Sequence, residues 1–128
     1  MKEPKLYSPL VLAYIGDAVY EIYIRENVLK AHPDMPAGKL HKENIKYVKA
    51  AAQARAARLT EQHFTEDEDA VYRRGRNAKS PTVPKNADVL DYRCATGLEA
   101  VLGYLKLCGR EDRISELMAM IYGVLEDK

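Results

Sequence analysis

Two acidic residues stand where an apolar helix has no ordinary use for them. Asp17 follows Gly16 in Ala13-Tyr14-Ile15-Gly16-Asp17-Ala18-Val19, and Glu99 sits in Thr96-Gly97-Leu98-Glu99-Ala100-Val101-Leu102-Gly103. Inside a helix a glycine costs about 1 kcal/mol and an aspartate roughly 0.7 kcal/mol relative to alanine. Burying an unpaired carboxylate costs several kcal/mol more, so Asp17 needs a cation, a donor or water beside it. The glycines next to both acids remove side chains that hold helices apart, so the two strings look built for close approach. Two carboxylates from separate helices, with the remaining positions left to water and phosphate, suit Mg²⁺. The chemistry that follows is metal-assisted hydrolysis of a phosphodiester. The competing structural reading of Asp17 is an internal ion pair, for instance with Arg93.

The other acids and the histidines carry less. Asp88 returns to the face of Glu99 but about 16 Å away along a helix, which points to a cap or a salt bridge. Glu21 lies one turn before Arg25, the spacing of an i,i+4 ion pair. His32, His41 and His63 have no metal-ligand spacing.

A basic segment supplies the complementary charge. Arg73, Arg74, Arg76, Lys79 and Lys85 follow one another with no acid between them, while Asn77 and Ser80 add neutral donors. Phosphate contacts are their natural use, and each one should steepen the salt dependence of binding. Nothing in the segment reads base identity, and duplex RNA is recognised mainly by shape and backbone. The acids from Glu66 to Asp69 could also pair with it internally.

The elements that must position these groups are helical throughout. Ser8 and Pro9 open a long apolar helix that runs to about Lys30. His32-Pro33-Asp34-Met35-Pro36 breaks it, and a second helical region runs from about Lys39 to His63. Thr65 to Glu68 reads as a capping box at the start of a third helix reaching roughly Arg76. After the loop Asn77 to Asn86, a fourth helix spans about Ala87 to Leu107. Gly109 ends it, and a fifth spans about Glu111 to Leu125. No alternating strand pattern competes, so the expected class is all-α, with about five to seven helices.

At 128 residues the chain suits one domain over 1–128. No stretch approaches the roughly 18 apolar residues of a membrane span, and Met1-Lys2-Glu3-Pro4 lacks the order of a secretory signal, so a cytoplasmic location is expected. Cys94 and Cys108 lack metal-ligand spacing and are expected as small buried apolar residues. A net charge of +1 leaves the question of nucleic acid to local charge.

The same strings resemble the ribonuclease III family. Ala13 to Val19 is similar to its signature helix, and Leu98 to Gly103 to its second signature. Arg74-Gly75-Arg76-Asn77-Ala78-Lys79-Ser80, Pro84-Lys85-Asn86 and Tyr92-Arg93 are similar to the middle region of the Mini-ribonuclease III branch. The resemblance covers essentially the whole chain. It implies the all-helical endonuclease-domain fold, a homodimer, and cleavage of double-stranded RNA leaving a 5′ phosphate. It further implies Asp17 and Glu99 as catalytic Mg²⁺ ligands and maturation of the ends of a large-subunit (23S) ribosomal RNA precursor, with a ribosomal protein as a possible helper.

Two departures stand out. Larger members have a glutamate where this chain has Ala13 and an aspartate where it has Thr96, a reduction the Mini branch shares. No segment remains for a double-stranded RNA-binding domain, so the basic loop is the expected substitute. The rival readings are a catalytically inactive RNA-binding module of the same fold and a helical interaction protein whose acids are internal ion pairs.

Overall fold

Helix boundaries in this chain follow its capping chemistry. In the computed structural model, which describes residues 1–79 and 88–126, the Ser8 hydroxyl accepts from the Val11 amide at 3.2 Å with Pro9 in the first turn. Helix α1 (Pro9–Ala31) starts there. Thr65 and Glu68 form the full reciprocal box, Glu68 N donating to Thr65 Oγ1 at 3.2 Å and Thr65 N to Glu68 Oε1 at 2.9 Å. They launch α4 (Glu66–Asn77). Asp88 caps the Asp91 amide, starting α5 at Val89 rather than at Ala87. α5 runs to Leu107, and α6 (Glu111–Glu126) follows. Single 3-10 turns sit at Pro4–Leu6 and Glu61–His63, and the described residues contain no strand.

The second helical region is two helices rather than one. α2 (Ala37–Val48) and α3 (Ala50–Thr60) meet at Lys49, whose backbone is extended at φ −64°, ψ 153°. Alanine-rich sequence has no intrinsic reason to break there. Packing supplies the reason: α2 lies on α1, whereas α3 packs on α5 and α6. The Gln53 amide donates to the Val48 carbonyl at 2.8 Å, replacing a helix bond lost at the break.

α5 is the central helix, packed by α1, α3, α4 and α6. From Ala95 to Leu105 every residue except Glu99 is buried. Helices this closely packed need small residues at the crossings. A Cβ added to Gly16 would lie 1.6 Å from the Glu99 carbonyl oxygen, and one on Gly103 would lie 1.8 Å from that of Leu12. Backbone of α1 therefore rests directly on backbone of α5. Among the described residues no helix is long and apolar enough to cross a membrane. Cys94 packs against the core, but Cys108 is exposed, because it follows the last turn of α5 rather than lying on its inner face.

One buried ion pair ties the start of α4 to α6. Arg113 Nε and Nη2 each donate to a Glu68 carboxylate oxygen at 2.9 Å, and Nη2 also donates to His63 O at 2.7 Å. The Glu68 side chain is 3% exposed. Burial works to raise its pKa, but the Arg113 and Thr65 hydrogen bonds outweigh it and hold the carboxyl below its ordinary range. An acid with a depressed folded-state pKa stabilises above its unfolded value and loses that contribution as pH falls. Arg113→Ala should therefore cost about 3 kcal/mol at pH 7 by leaving a buried charge unpaired. Urea midpoints should show the wild-type advantage shrinking below about pH 4.5; a gap that is constant with pH would contradict this account.

Candidate active site

Asp17 and Glu99 line one open cleft of about 320 Å³ together with Leu10, Ala13, Tyr14, Tyr92 and Thr96. The glycine contact produces this meeting: Gly16 lies on the backbone of Glu99, and Asp17 is the next residue on α1. Asp17 is exposed and Glu99 half-buried. Their carboxyl groups are within hydrogen-bond reach of each other. Burial first, then the charge of Asp17 and the shared hydrogen bond, push the Glu99 carboxyl up to about 8; the Gln53 amide pulls the other way. Two acids crowded in this way, with no basic partner for Asp17 among the described residues, attract a cation.

The Asp17–Arg93 ion pair does not form among the described residues, where Arg93 is exposed and has no acidic partner. Glu21 does pair with Arg25 at 3.1 Å, and the same oxygen accepts from Asn44 at 3.0 Å. Its charge still reaches the cleft, adding to the upward push on both Glu99 and the buried Tyr20 phenol. Asp88 is the cap of α5, as its spacing suggested.

The structure divides the basic segment. Arg73 is paired with Asp69 at 2.9 Å. Arg74 donates to the Lys5 and Tyr7 carbonyls, at 3.2 Å each, tying α4 to the amino-terminal turn. The Arg76 guanidinium lies 5.6 Å from the centre of the Tyr72 ring. Lys79 is exposed beside the acid cleft, and Lys85 lies outside the described residues.

Sequence reasoning assigned no site role to several residues that line or approach the cleft. Tyr92 and Thr96 precede Glu99 by seven and three positions, and Tyr14 precedes Asp17 by three, so helical spacing alone puts each on the face of its acid. Thr96 is buried, and its hydroxyl donates to the Tyr92 carbonyl at 2.9 Å. Gln53, 5% exposed, approaches Glu99 from α3, and its Oε1 has no hydrogen-bond partner among the described residues. No spacing rule links Gln53 to Glu99.

Comparisons with known proteins converge on one family. The ribonuclease III domain model matches residues 10–110. Mini-ribonuclease 3 of Clostridium tetani is 47% identical over 123 residues, covering 96% of this chain and 82% of that protein. Mini-ribonuclease 3 of Enterococcus faecalis is 47% identical over 120 residues, covering 92% and 90% respectively. A crystal structure of a Fusobacterium nucleatum protein superposes with a TM-score of 0.85 at 28% identity, covering 96% of this chain and 98% of that one. With an acid pair held in an open cleft by packed helices, and with these likenesses spanning nearly its whole length, the chain belongs to the ribonuclease III family of endoribonucleases.

Proposed function

We propose that the chain is a Mg²⁺-dependent endonuclease of double-stranded RNA, acting as a homodimer on one catalytic domain, with Asp17 and Glu99 as its catalytic metal ligands. The observation that carries this is the convergence of the two carboxyls on one open cleft. The donor set fits the ion: both side chains offer hard oxygens to one cleft, and no basic side chain among the described residues pairs with either. Among the described residues no third His, Cys, Asp or Glu completes a cluster, so water and RNA phosphate are left to fill the remaining positions. Bound magnesium would supply positive charge at the scissile phosphate and lower the pKa of an attacking water, leaving a 5′ phosphate on the product.

The chain's own residues orient these groups. Gly16 holds Asp17 against α5, and the Gln53 amide restrains Glu99. Arg73, Arg74, Arg76, Lys79 and Lys85 would contribute the positive field that attracts the RNA backbone, although the partners of the three arginines assign them a structural share as well. Incubating a duplex RNA with the protein in Mg²⁺, and again with EDTA, tests the reading. Products with 5′ phosphates in the first tube and intact duplex in the second are expected; intact duplex in both would refute it.

The dimer reading rests on α1. Its buried face, Leu12, Val19, Ile24 and Val28 among others, points to the core, yet Val11, Tyr14 and Ile22 remain 44%, 77% and 52% exposed. Tyr14 and Ile22 border a cavity of about 600 Å³ that also includes Ile15, Ala18 and Val19, with Asp17, Lys106 and Glu111 at its edge. An apolar stripe of this kind marks an interface. A two-fold axis across α1 would bring both acid pairs onto one face, matching the two strands of a duplex. Ile22→Asp should convert a dimer to a monomer in sedimentation equilibrium; wild-type protein sedimenting as a monomer would count against the assembly. Trimming of a 23S ribosomal RNA precursor in the cytoplasm, with a ribosomal protein as helper, is the physiological reading suggested by likeness to Mini-ribonuclease III.

A further inference from the structure

The acid cleft has a neighbour on the far side of Tyr92 and Thr96. A second open cavity of about 300 Å³ is bounded by these same two residues and by Gly75, Ala78, Val89, Lys79 and Arg93. The two cavities share Tyr92 and Thr96 as a common wall. One side of that wall therefore carries the carboxylates and the other carries the cations. Lys79 and Arg93 are both exposed, and neither has an ion pair or hydrogen bond among the described residues. Their closest acids in sequence are engaged elsewhere: Asp91 is paired with Arg58 at 2.8 Å, and Asp88 caps α5.

A free guanidinium and a free ammonium at the edge of a cleft suit a dianionic or polyanionic ligand, and Arg93 has the planar fork that grips phosphate with two parallel bonds. We propose that Lys79 and Arg93 form a subsite for the phosphate adjacent to the scissile one on the strand being cut, with Tyr92 as the ridge between the two phosphates. The proposal rests on the endoribonuclease reading above and adds to it a register device. With one phosphate anchored across the ridge, the next is presented to Asp17 and Glu99. Arg93 would thus act on substrate placement, leaving the chemical step to the acids.

The test measures duplex RNA binding in metal-free buffer over a salt series, then cleavage in Mg²⁺. Arg93→Ala should weaken binding about tenfold at low salt and reduce the salt slope by about one. Its KM should rise by a similar factor while kcat stays near wild type. Arg93→Lys should keep the slope but recover only part of the affinity, because the charge remains and the fork is lost. A duplex carrying a neutral methylphosphonate next to the scissile bond should cost the wild type about as much as Arg93→Ala does, and the variant little more.

Since Arg93 is exposed and has no partner among the described residues, its variants should melt with the wild type. A wild type that cleaves duplex RNA beside an Arg93→Ala variant with unchanged slope and KM overturns the subsite alone. Full additivity of the variant and the methylphosphonate also overturns it. A wild type that neither binds nor cleaves duplex RNA overturns both the subsite and the function on which it rests.

Discussion

Asp17→Asn is expected to abolish cleavage while leaving the protein folded and able to bind duplex RNA. The asparagine preserves shape but removes one of the two carboxyl groups that line the cleft. A metal contributes several kcal/mol of transition-state stabilisation. Losing about 4 kcal/mol of it corresponds to roughly a 10³-fold fall in rate. Folding should not suffer, because Asp17 is exposed and the crowding that pushes up the Glu99 carboxyl is relieved in the variant. Binding in metal-free buffer should hold or strengthen, since a negative charge beside an RNA phosphate has been removed. Single-turnover cleavage and a binding titration on the same preparations make the test. Equal product from wild type and variant would remove Asp17 from catalysis and favour an RNA-binding module that has lost its activity.

The second large effect comes from a single methyl group. Gly16→Ala would place a Cβ 1.6 Å from the Glu99 carbonyl oxygen, a backbone atom in the middle of the central helix. No rotamer change relieves that overlap, so α1 and α5 must separate or the fold must yield. Overpacking of a core costs typically 1–3 kcal/mol, and a backbone-on-backbone clash belongs at or above the top of that range. Melting should fall by roughly 10 °C for a chain of this size. Because the same contact holds Asp17 beside Glu99, cleavage by whatever remains folded should fall as well.

Gly123→Ala is the matched control. That glycine lies within α6, and an added Cβ meets nothing within 4 Å. Alanine there should raise stability by about 0.5–1 kcal/mol. Two Gly→Ala changes of opposite sign would separate helix propensity from close packing. If Gly16→Ala melts at or above wild type, the close contact between α1 and α5 is wrong as described.

Much of this architecture can be read locally. The Ser8, Thr65 and Glu68 caps act within one turn of chain, so their signatures survive in sequence and the structure reproduces them. Asp17 and Glu99 stood out because a carboxylate in an apolar helix carries a cost that the rest of the helix does not explain. The break at Lys49 was not legible, since it arises from α2 and α3 packing on different neighbours. Nor was the division of the basic segment: Arg74 turns back to the Lys5 and Tyr7 carbonyls, far away in sequence.

The sequence by itself determined an all-helical chain and singled out two carboxylates with glycines beside them, because capping, periodicity and the cost of a lone charge are short-range effects. Tertiary structure alone decided that Gly16 rests on Glu99, that Gln53 reaches Glu99 from α3, and that Arg93 stands free of Asp17. Each of these depends on how helices distant in sequence cross. A crossing is set by the summed packing of many side chains, which no local pattern encodes.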